Sequence, residues 1–146
     1  MRKRSKRIVR PAQPPCLVVS HVSPDVQIIL LTTLQAFSEG WAEKEHFDCM
    51  LDTRDLLLLG ANAKRETGIV EAALAINVAL SNIRDSWDGK KFYFDADELN
   101  ALKILVHLSN DFWNRQSGAM YMAAYKALKK WRLQQYEDQR EQTGTN

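Results

Sequence analysis

Cysteine is scarce in this sequence. Two occur in 146 residues, Cys16 and Cys49, without a CxxC spacing, which excludes a disulfide scaffold. Four prolines and six glycines are too few for a low-complexity or collagen-like chain. No apolar run approaches the roughly 20 residues of a membrane-spanning helix. What remains is an ordinary globular balance, 45% hydrophobic and 26% charged, at a length that suits one domain.

Acidic residues are missing from the first ten positions, which carry Arg2, Lys3, Arg4, Lys6, Arg7 and Arg10. These are six of the 20 basic residues. The other 14 face 18 acids, so residues 11–146 carry a net −4 beneath the formal +2 of the whole. Dense like charge disfavours a compact fold, and Pro11, Pro14 and Pro15 cannot continue a helix. Residues 1–22 therefore read as a flexible basic arm. A secretory signal is rejected, because the prolines interrupt it and Leu17-Val18-Val19 is too short for its apolar core. A cytoplasmic address with reduced thiols follows as an expectation.

The body reads as five helices. Ser23-Pro24 supplies a cap and a first-position proline, and Val26, Ile29, Leu30, Thr33, Leu34 and Phe37 recur at helical spacing up to Gly40. Helix one spans 24–39. Helix two, 43–63, carries Leu56–Leu59; four adjacent leucines point all round, so it is expected at the centre. Ile69, Ala73, Ile76, Leu80, Ile83 and Trp87 form a narrow seam along helix three, 67–87, after a break at Thr67-Gly68. Asp95 and Glu98 have capping-box spacing at the start of helix four, 96–116, whose stripe is Leu99, Leu102, Leu105, Val106, Phe112 and Trp113. Helix five, 118–136, has Met120, Ala124, Ala127, Leu128 and Trp131 as its expected buried stripe. The expected fold is an all-α, single-domain bundle of about five antiparallel helices over 23–137, with a polar disordered tail at 138–146.

Catalytic patterns are missing. His107 and Asp111, Glu45 and Asp48, and Asp48 and Asp52 have metal-ligand spacing on a helix, but no HExxH and no paired ExxH occurs. His46 and Cys49 are three apart, in an apolar setting that suppresses a thiolate. No GxSxG and no phosphate loop stands anywhere. The reading is a non-enzyme without cofactor or metal.

Aromatic residues gather in the second half. A bundle this small cannot enclose all four Trp, and Trp and Tyr are favoured interface anchors. Trp113, Tyr121, Tyr125, Lys129, Trp131 and Arg132 are the candidate protein-binding residues. Tyr121 and Tyr125 are four apart, so at least one is expected to reach solvent. Lys126, Lys129, Lys130 and Arg132 make a basic patch read as lying near the end of the last helix. The arm cations Arg2, Lys3, Arg4, Lys6, Arg7 and Arg10 are the candidates for the alternative, nonspecific nucleic-acid contact.

The layout resembles small, mostly uncharacterised helical proteins encoded by phages and prophages of proteobacteria. The shared features are the basic start Arg2-Lys3-Arg4-Ser5-Lys6, a central stretch like Leu34–Gly40 and an aromatic-acid-leucine run like Phe92–Leu102. Ser109-Asn110 departs from the pattern, where a His-Asp pair is expected. The resemblance implies a phage or mobile-element origin and brings no activity, cofactor or catalytic residue. The expected function is binding to another protein, with a host factor as one option, away from any membrane and with self-association as a further option.

Overall fold

Helix ends leave backbone groups unpaired, and in this chain local side chains and turns take them up. The computed structural model describes residues 24–144. Among these, every regular element is a helix: α1 (Pro24–Glu39), α2 (Lys44–Ala63), α3 (Thr67–Ala75), α4 (Asn77–Asp85), α5 (Ala96–Trp113) and α6 (Gly118–Gly144). The third expected helix is present as α3 and α4, so the all-helical architecture of five helices holds. The arm expected over 1–22, with its six cations, lies outside the described residues.

The caps explain the boundaries. Asp95 accepts from the Glu98 backbone N–H at 2.8 Å while Glu98 accepts from the Asp95 N–H at 3.0 Å, the reciprocal pair expected from the spacing. At the start of α2 the Glu43 N–H donates to His46 Nδ1 at 2.8 Å. Gly40 closes α1 with φ +83°, its N–H bonded to Phe37 O and the Trp41 N–H to Ala36 O. Arg65 closes α2 in the same way, at φ 57°, with Glu66 N–H bonded to Ala61 O. The break expected at Thr67-Gly68 thus falls at Arg65, a left-handed position that glycine more often occupies.

α2 packs against α1, α3, α5 and α6, which gives it the central place expected of four adjacent leucines. Leu56 and Leu57 are buried, Leu58 is half-buried and Leu59 is exposed. The seam of helix three is realised too: Ala73, Ile76, Leu80 and Ile83 are buried, with Ile69 and Trp87 packed at its ends. The chain breaks at Ile76, whose N–H bonds back three residues to Ala73 O. Arg54 of α2 donates to Asn77 Oδ1 at 3.0 Å and ties this joint to the central helix.

Phe92 fixes the loop before α5. It is buried against Phe47 and Trp87, with ring centroids at 5.4 and 4.6 Å, and against Phe37 at 5.7 Å. Burying one such ring contributes roughly 1.5–3 kcal/mol. Asp88 organises the loop's outer side: it accepts from the Lys90 and Lys91 N–H groups and from the Tyr93 hydroxyl.

Two expected boundaries are corrected at the C-terminal end. α5 stops at Trp113, three residues earlier than expected, and α6 runs to Gly144. The stretch from 138 to 144 is therefore helical and not a disordered tail. Gln, Glu and Arg are good helix formers, so a polar sequence can continue a helix in water, and Gln134 donates to Asp138 one turn on at 3.1 Å. Among the described residues no helix is long and apolar enough to cross a membrane.

Candidate protein-binding surface

Ser117 caps α6, its Oγ accepting from the Met120 N–H at 3.0 Å. From there α6 extends 27 residues, about 40 Å, and packs chiefly along α2. Leu128 is its buried residue. Tyr121 and Ala124 are half-buried against the core, and Arg132 reaches down from the same face. The guanidinium of Arg132 bridges Asp52 and Asp55 of α2. Partial burial works against its charge, but the two carboxylates outweigh that and hold its pKa above the ordinary value.

This anchoring corrects the expected buried stripe. Met120, Ala124 and Leu128 of that stripe pack on the core, but Ala127 and Trp131 are exposed, Trp131 at 53%, and the packed face continues instead through Tyr121 and Arg132. Burial of Leu128 and Tyr121, together with the Arg132 bridge to Asp52 and Asp55, sets this rotation, and the indole of Trp131, about 100° round the helix from Arg132, faces outward. The basic patch is corrected as well. Because α6 runs on to Gly144, Lys126 to Arg132 sit in mid-helix and the last turn holds no basic residue.

The six candidate residues separate into three groups. Trp113 is buried, at 4% exposure, and is part of the core. It stands edge-on to Phe112 and to Tyr121, with centroids at 4.9 and 5.0 Å, and its Nε1 has no hydrogen-bond partner among the described residues. Tyr121 closes this cluster, and burial raises its hydroxyl pKa. Arg132 is engaged by α2 and positions the helix. Tyr125, Lys129 and Trp131 remain at the surface.

Those three mark two flanks of α6. On one, Trp131 forms the wall of a groove of about 250 Å³ with Leu58, Leu59 and Asn62 of α2 and Ala127. On the other, the Lys129 ammonium lies 5.3 Å from the Tyr125 ring, above a second groove lined by Asp52, Leu128 and Leu133. Met122, Leu133 and Tyr136 are exposed on this flank too, outside the six candidate residues. Their signal was present as the spacing Met122, Tyr125, Lys129, Leu133, Tyr136, which follows helical steps of three and four.

His107 pairs with Asp111 at 3.5 Å in solvent, and His46 is held at the start of α2 with its ring against Trp41. The Cys49 thiol is half-buried, and burial pushes its pKa up, away from a reactive thiolate. Among the described residues no group of three or more His, Cys, Asp or Glu is placed to hold a metal ion. No protein-family model, curated protein or solved structure matches the chain.

Proposed function

We propose that the protein is a small non-enzymatic, cytoplasmic binding protein that engages another protein through the groove between α2 and α6. One observation carries this reading. Trp131 stands half-exposed as the wall of a mostly apolar groove lined by Leu58, Leu59, Ala127 and Leu128, with Asp55 and Asn62 as its polar residues. Exposed tryptophan beside an apolar pocket is the composition of an interface anchor, and such residues supply most of the energy of a contact. Tyr125 with Lys129 on the opposite flank extends the surface. The phage or prophage origin suggested by the sequence makes a host factor the partner of choice.

The test uses the full chain as bait in host lysate, beside the double variant Tyr125→Ala with Trp131→Ala. Neither residue is in the buried core, so the variant is expected to keep its helical circular dichroism. It is expected to lose the proteins that the native chain retains. Equal capture by both would place the binding surface elsewhere. Nucleic acid copurifying with the chain and leaving as salt rises would favour the basic arm as the working part.

A further inference from the structure

The outer half of α6 is unsupported by the rest of the molecule. Every residue from Leu133 to Gly144 is exposed. About three turns of helix without a packed face are marginal in water, because helix stability in proteins comes mostly from tertiary contact. The charges on α6 also run against its own dipole, which favours acids early and bases late. Here Lys126, Lys129 and Lys130 precede Glu137, Asp138 and Glu141, with Arg140 the one base beyond Arg132 in the helix, and neither the first turn holds an acid nor the last a base. Lys126, Lys130, Glu137 and Glu141 form no ion pair among the described residues.

Their spacing is symmetric. Lys126 and Glu141, and Lys130 and Glu137, lie at equal distances on either side of the peptide joining Leu133 to Gln134. The steps from Lys126 through Lys130, Leu133 and Glu137 to Glu141 are four, three, four and four, so all five share one side of the helix. The four charged residues lie opposite the face that packs on α2, and Leu133, at the edge of that side, also borders the groove beside Asp52 and Tyr125.

We propose that α6 pairs antiparallel with α6 of a second copy of this chain, about a two-fold axis beside Leu133. An antiparallel two-fold brings each flank of a helix against the same flank of its mate. Lys126 and Lys130 of one copy then meet Glu141 and Glu137 of the other, twice over by symmetry. Leu133, 63% exposed in the single chain, meets its own counterpart at the centre. A parallel pairing would set lysine on lysine and glutamate on glutamate, so the charge order selects the antiparallel one. This surface is distinct from the Trp131 groove. Leu133 lies two residues beyond Trp131, about 200° round the helix, and none of the four charged residues lines that groove.

Sedimentation of the full chain over a concentration series tests the pairing. The native protein is expected to show a reversible monomer–dimer equilibrium. The double variants Lys126→Glu with Lys130→Glu, and Glu137→Lys with Glu141→Lys, each place like charges across the axis and are expected to weaken self-association at least about tenfold. Mixing the two variants makes every cross-pair opposite again and is expected to restore the dimer as a heterodimer. Leu133→Cys gives a second reading, an oxidant-induced disulfide between copies. A native chain that stays monomeric throughout, variants that dimerise as the native chain does, a mixture that fails to recover, or no disulfide at position 133 would each overturn the proposal. Loss of a partner from the Trp131 groove leaves this equilibrium unchanged, so the two readings fail separately.

Discussion

Trp113 rests on the bare backbone of Gly60: a Cβ at position 60 would stand 2.8 Å from Trp113 Cη2 and 2.6 Å from Phe112 Cε2. Both rings are buried, so neither can swing aside. Glycine here serves the close approach of α5 to α2. Gly60→Ala is expected to destabilise the fold by about 1–3 kcal/mol, the range of an overpacked core. Thermal or urea denaturation checks it, and an unchanged midpoint would show that α5 can shift at no cost.

Arg132 holds the free helix to the body. Removing it with Arg132→Ala takes away the bridge to Asp52 and Asp55; Asp55 keeps its pair with Arg54 at 2.8 Å, while Asp52 loses its cation. The site is partly exposed, so the expected loss is about 1 kcal/mol at low salt, less as salt screens it. The sharper readout is local. Amide exchange over α6 is expected to quicken while α2 and α5 keep their protection. Unaltered exchange in α6 would assign its position to Leu128 and Tyr121 alone.

Asp88 makes the loop before α5 sensitive to acid. Hydrogen bonds from the Lys91 N–H, the Tyr93 hydroxyl and the Lys90 N–H hold its carboxyl below the usual carboxylate range. A carboxylate with a lowered folded pKa contributes stability that is present above the unfolded pKa, about 4, and is lost as pH falls through the folded one. The Asp88→Asn variant is therefore expected to be less stable than the native chain at neutral pH. The gap should close in strong acid, where the native carboxyl is protonated too. Urea titrations of both proteins at the two pH values measure it; a gap independent of pH would trace the loss to the amide's shape instead.

Much of the fold was legible along the chain because its cause is local. The Asp95–Glu98 cap, the stop at Gly40 and the seam from Ile69 to Trp87 depend on residues within a few turns of one another. Polar composition misled at the C-terminus. Such a stretch suggests fraying, yet most residues from Gln134 to Gln142 are good helix formers and continue a helix already anchored at Tyr121 and Leu128.

The candidate surface was only half legible. Tyr125, Lys129 and Trp131 do reach solvent, whereas Trp113 is core. Its place in the stripe with Leu105, Val106 and Phe112 already points inward, against its selection as a binding residue, and Gly60, 53 positions earlier, leaves the room that the ring fills.

By itself the sequence determined that the body from Pro24 onward is helical, where most helices begin and which stripes are apolar, because periodicity and caps act over one or two turns. Only the tertiary structure decided which way α6 faces. Its apolar and aromatic residues lie all round, so periodicity permits several rotations. Long-range contacts, the burial of Leu128 and Tyr121 and the bridge from Arg132 to Asp52 and Asp55 about 80 residues earlier, select the one that turns Trp131 outward and leaves Leu133 exposed.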